Sequence, residues 1–224
     1  MGAMNWSGVR ERVEALARAD KARKAFGAWD EYGGSGHHFR LAEPLSAADV
    51  AAAEAQWGVS LPPDYRAFLL EVGAGGAGPF YGLTTLSRTD AGWLWSDPRG
   101  GTVHERLRFP FPDVEDSVRA QVEHERKEPV ESHFEDEAAF DVAYRAWLEE
   151  DEKLSDWFSS GAVCLSHEGC GYFDWLVVSG SQRGQVWVDE SQGDGRFGPL
   201  GQVGFADWYL GWVEKTEADI RLGR

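Results

Sequence analysis

Apolar positions in the first stretch of the chain fall three to four residues apart or at multiples of that spacing. Between Trp6 and Phe26, Val9, Val13, Leu16 and Phe26 share one stripe, and Arg10, Arg12, Arg18, Lys21, Arg23 and Lys24 lie on the wet side. That period predicts an amphipathic helix over 6–26. Tyr32-Gly-Gly-Ser-Gly36 then breaks the chain before His37-His38-Phe39-Arg40-Leu41, which reads as a short extended piece. A second helix is predicted from an N-cap at Ser46, with Asp49 three residues later, to about Trp57. Gly58 stands where a helix C-cap favours positive φ. Pro62-Pro63 stops one helix and opens the next. In that third helix Tyr65, Phe68, Leu69 and Val72 form one apolar face ending at Gly73.

Residues 74–79 are nearly free of side chains. A glycine-rich loop invites a phosphate-binding reading, but such loops follow a strand and open a helix. Here the glycines follow a helix and no Gly-Lys-Ser/Thr occurs. The expectation is a tight turn packed against neighbouring backbone.

The period changes again near the end. Ala162–Ser166, Tyr172–Val178 and Gln185–Asp189 read as strands separated by glycine-rich turns, an antiparallel meander. An aromatic-rich helix over Phe205–Val213 follows. Helices first, hairpins later and a helix last predict an α+β fold. The expectation is a single domain over 1–224, with a helical N-terminal extension at 1–30.

Charge alters this picture in one place. The 224 residues carry a net charge of −16. Segment 113–156 holds sixteen acids against five bases, which is −11 of that total. Phe140, Tyr144, Trp147 and Leu148 recur there at helical spacing, so the segment is expected to be a docked acidic helical insertion. Its face is either simply solvated or a docking surface. Phosphate backbones would be repelled and no basic stripe is present, so direct nucleic-acid binding is not expected. A cationic protein is the natural complement. No apolar run is long enough for a membrane span, and the first residues lack the order of a secretory signal, so a cytoplasmic location is expected.

Candidate chemistry is sparse. Asp64 and Glu71 have no catalytic partner nearby in sequence. Cys164, His167 and Cys170 are spaced three apart, but a fourth zinc ligand is not evident, and Cys164 alternates with Val163 and Leu165 like a core residue. A cysteine nucleophile would need an orienting third group beyond His167. His37 and His38, beside a glycine-rich turn, read as partly exposed rather than catalytic. With 38 acids, no carboxylate pair is informative as a glycosidase pair. Trp93, Trp95, Trp187, Trp208 and Trp212 fit a core better than a sugar-stacking platform. No catalytic residue, cofactor or metal is expected.

Glu54 and Trp57-Gly-Val-x-Leu61-Pro-x-Asp-Tyr65-Arg-x-Phe68-Leu69 resemble the SUKH (Smi/Knr-type) superfamily, which includes fungal cell-wall-synthesis regulators and many bacterial immunity proteins. The likeness continues through Gly75-Gly76-Ala-Gly78-Pro79 and Tyr81-Gly82-Leu83. Gly169-Cys-Gly-Tyr172, Leu176-Val-Val-Ser-Gly180, Arg183-Gly184-Gln-Val-Trp187 and Phe205-x-Asp-Trp208 are similar to its bacterial branch. The likeness covers roughly 40–95 and 160–213, leaving 113–156 as a variable insertion. The resemblance implies a non-enzymatic α+β domain that binds and neutralises a cognate toxin, often a nucleic-acid-modifying and therefore basic one. It gives no binding positions, so the expected partner-binding residues are the acids of the insertion: Glu135, Asp136, Glu137, Glu149, Glu150, Asp151 and Glu152. The alternatives are a regulatory protein–protein interaction module without a toxin, and a glycan-binding protein.

Overall fold

The computed structural model describes residues 5–19, 22–29, 36–96, 104, 106–193 and 195–223. Lys21 and residues 32–35 of the expected chain break lie outside them. Helix α1 spans Val9–Leu16 and buries Val9, Val13 and Leu16. It stops ten residues short of the predicted end, and a short 3-10 helix at Ala22–Lys24 follows. The stripe of large apolar residues lapses after Leu16; of the apolar residues from there to Trp29 only the small Ala22 and Ala28 are buried, and Phe26 stands exposed.

Residues 37–41 do not form the expected extended piece. His38 and Phe39 both adopt positive φ, and only Leu41 makes a bridge, to Gly76. Helix α2 (Ala47–Trp57) has the predicted capping box: Ser46 Oγ accepts the Asp49 N–H at 3.1 Å, while Asp49 reaches back to Ser46. Gly58 closes it in the left-handed region. Helix α3 (Pro63–Glu71) begins with Pro63 in its first turn and buries Tyr65, Phe68 and Leu69.

The motif residues between these helices are structural. Glu54 accepts the Leu61 N–H at 2.9 Å, and Arg183 donates to the carbonyls of Ser60 (3.0 Å) and Leu61 (2.7 Å). The α2–α3 turn is thereby held to a residue 122–123 positions later in the chain.

The glycine-rich run is a seam, as its lack of side chains suggests. Gly76 bridges both Leu41 and Leu83, Leu83 bridges Ser166, and the Thr84 N–H donates to Leu165 at 2.8 Å. A Cβ on Gly76 would sit 2.4 Å from the Arg40 carbonyl oxygen at φ +101°. The run therefore extends the main sheet through backbone approaches that only glycine permits.

A hairpin, β1 (Thr85–Thr89) and β2 (Gly92–Ser96), precedes the acidic segment and buries Trp93 and Trp95. Helices α4 (Val114–Glu125) and α5 (Glu137–Phe158) make up most of that segment. Strands β3 (Ala162–Gly169), β4 (Tyr172–Val177), β5 (Gln185–Asp189) and β6 (Phe197–Gly204) form an antiparallel meander in that order. Helix α6 (Phe205–Leu222) runs well past the predicted Val213, because Thr216 is buried and Ile220 packs on the fold.

The meander is covered on both faces. Val163, Leu165, Leu176, Val178 and Val186 join the main core with Trp6, α1, α3 and α6. On the opposite face Val177, Trp187 and Phe197 pack with Phe111 and Phe158, against which Ala120, Leu154 and Trp157 rest. The acidic segment is thus the second layer over the sheet, and the α+β fold class holds.

Candidate functional site

A cleft of about 790 Å³ lies between helices α4 and α5 and the turn joining β5 to β6. Gln121 on α4 anchors one wall, donating to the Phe197 carbonyl at 3.1 Å. The second wall is α5, where Trp147 lies flat on His124 of α4 (ring centroids 4.6 Å apart, planes 7° apart) and donates to the His124 carbonyl at 3.2 Å.

The lining has a consistent chemistry. Its floor is apolar and aromatic, with Trp147, Leu148, Leu154, Phe158 and Phe197. Its walls carry six carboxylates: Glu125, Glu128, Asp151, Glu152, Asp156 and Asp189. The one guanidinium, Arg196, is held by Glu125 through two contacts of 2.9 and 2.7 Å, and that pairing raises its pKa. Asp151 faces His124 at 3.1 Å. Five wall carboxylates therefore have no arginine or lysine of their own lining the cleft. Long basic side chains suit such a site: their methylene stems cover apolar floor while their heads meet carboxylates.

The seven acids expected from the sequence do not form one patch. Asp151 and Glu152 line the cleft. Glu149 and Glu150 sit on the same turn of α5 but outside it, and Glu150 is paired with Lys153 at 2.6 Å, which lowers its pKa. Glu135, Asp136 and Glu137 lie at the other end of α5, roughly 20 Å away at 1.5 Å rise per residue. Asp136 is the helix N-cap there, accepting the Ala139 N–H at 2.8 Å. Sequence reasoning missed Glu125, Glu128, Asp156 and Asp189 as cleft residues. Asp156 follows Glu152 by one helical turn, a readable signal; Asp189 comes from β5 and enters only because the segment docks on the sheet.

Other candidate chemistry resolves into scaffold. Cys164 is fully buried in β3, and Cys170 is exposed in the β3–β4 turn. Buried His104 accepts the Cys164 N–H at 3.1 Å, and burial lowers its pKa to about 4. Among the described residues no group of three His, Cys, Asp or Glu is placed to hold a metal ion. No helix among them is long and apolar enough to cross a membrane.

The sequence profile of the SMI1 / KNR4 family (SUKH-1) matches residues 44–200, more than two-thirds of the chain. The chain belongs to this SUKH-1 family. The match runs from the turn before α2 to β6, so it includes the meander, the glycine seam and the α2–α3 turn, and spans the acidic segment. The SUKH fold is one that immunity proteins use, and its members are generally non-enzymatic protein binders. No curated protein and no solved structure matches the chain.

Proposed function

We propose that this SUKH-1 protein is a cytoplasmic immunity protein that neutralises a basic toxin, of the kind that acts on nucleic acid, by seating arginine and lysine side chains in the cleft between α4, α5 and the β5–β6 turn. The observation behind this reading is the lining itself: six carboxylates over an aromatic floor, with a single guanidinium already paired to Glu125. A surface that binds phosphate must be cationic, and a cleft of this charge both steers toward such a surface and covers it. Blocking requires adhesion alone, with no bond made or broken.

The test is protection on co-expression with toxin genes neighbouring its own. Survival of the host cell is expected, and it should be lost when Glu128, Asp151, Glu152 and Asp156 are replaced by their amides. Absence of protection, together with recovery of a stable housekeeping complex from its own host, would overturn the reading in favour of a regulatory interaction module.

A further inference from the structure

A second pocket, of about 520 Å³, lies between α6 and the segments before and after the glycine seam. Its volume falls in the roughly 300–1,000 Å³ range of small-molecule sites. Phe26, Phe39, Phe80, Trp208, Trp212 and Ile220 supply apolar wall. Of its lining only Pro79 and Phe80 lie within the residues the family profile matches, since α6 begins at Phe205 and His37 and Phe39 precede 44.

Three features mark this pocket. The first is His37. The Phe39 N–H donates to its Nδ1 at 3.0 Å, so Nδ1 carries no hydrogen. Burial, with His38 adding its charge, lowers the His37 pKa to about 4 and keeps the ring neutral. The remaining hydrogen is therefore on Nε2, which is buried and without a hydrogen-bond partner among the described residues. An orphaned buried donor is costly, about 1–3 kcal/mol. The second is Gly211, which lines the pocket from the interior of α6. Glycine there costs about 1 kcal/mol relative to alanine, yet nothing lies within 4 Å of the place its Cβ would take. The third is backbone strain: wall residues Phe39 and Phe80 hold φ of 56° and 52°.

We infer that this pocket binds a small, uncharged, largely apolar molecule whose one hydrogen-bond acceptor, a carbonyl or ether oxygen, takes the Nε2–H of His37. Charge decides the class. The inner donor is neutral, so an anion would be buried without a counter-charge and a cation would face an N–H. Lys215 and Asp219 on the wall satisfy each other at 2.5 Å. A peptide would bring several backbone polar groups against a lining that is mostly apolar, where most would be buried unpaired. Gly211, itself exposed, leaves room on the α6 wall for the ligand's apolar body.

The neutral naphthyl ketone prodan is a suitable probe for the full chain. Saturable one-to-one binding with a blue-shifted emission is expected, with slower hydrogen exchange in α6 and residues 36–40. Gly211→Leu should weaken binding at least tenfold without lowering Tm. His37→Phe should weaken it about tenfold, and should leave binding of dimethylaminonaphthalene, which lacks the ketone, unchanged. No saturable binding to the wild-type chain would overturn the inference, as would binding indifferent to Gly211→Leu. If prodan fails while Gly211→Leu weakens capture of a toxin, the pocket takes a partner's side chain and the inference is wrong.

Discussion

The side-chain amide of Gln121 on α4 donates to the main-chain carbonyl of Phe197 on β6, 3.1 Å away and buried. Strand β6 is the last of the meander, so α4 supplies a polar partner at an edge where no further strand does. This contact joins the acidic segment to the sheet, and with it the two sides of the cleft. Gln121→Met keeps the bulk and removes the donor. The expected cost is about 1–3 kcal/mol, the penalty of a buried carbonyl left unpaired, read from urea unfolding.

Position along α5 separates the acids that can act together from those that cannot. Asp151→Asn with Glu152→Gln removes two charges from the cleft and should slow association with a basic partner on the order of tenfold at low salt, while flattening the salt dependence. Glu135→Gln with Glu137→Gln removes the same charge from the far end of the helix and should change the rate far less. Equal effects on the association rate from the two pairs would show that the net charge of the protein matters and the cleft does not.

The sequence discloses the elements whose cause is local. The Ser46 capping box, the Gly58 C-cap and the Pro63 start are all one-turn chemistry, and each stands where its residues indicate. What escapes is set by distant partners. Strand β6, with Gly198, Pro199 and Gly201, has no strand period of its own and is ordered by pairing with β5. The β1–β2 hairpin shows only an alternation of Trp93 and Trp95, which reads equally as core. His37 is partly exposed, as its place beside the glycines suggests, but the packing of Phe39 and Trp212 against its ring is set by distant partners. The cleft follows the same rule: Asp151 and Glu152 are visible as charge, whereas Asp189 joins them only after docking.

The glycine seam makes a sharp prediction because its requirement is steric. Gly76→Ala puts a methyl group 2.4 Å from the Arg40 oxygen at a φ that L-residues avoid. Strain of roughly 1–3 kcal/mol is the minimum, and the bridges to Leu41 and Leu83 must also open. A marked loss of Tm is expected, far beyond that of Gly198→Ala, whose Cβ would meet nothing. Similar small losses in both variants would mean that the seam can move aside.

Asp174 on β4 is 1% exposed, and its Oδ2 has no hydrogen-bond partner among the described residues. Burial, then the charge of Glu168 and the hydrogen bond that the protonated carboxyl donates to it, pushes the Asp174 carboxyl up from 3.8 to about 8. The sign follows from which state holds the proton. Between roughly pH 4 and pH 8 the folded chain keeps this proton and the unfolded chain has lost it, so raising the pH favours unfolding. The contribution to stability is complete below about pH 4 and disappears as pH rises toward 8, with a slope of at most about 1.4 kcal/mol per pH unit. Asp174→Asn keeps the shape and removes the titration. Denaturant midpoints should therefore diverge, the variant gaining on the wild type as buffers go from pH 5 to pH 8. Parallel midpoints across that range would mean that the carboxyl reaches water in the folded chain and ionises at its ordinary pH.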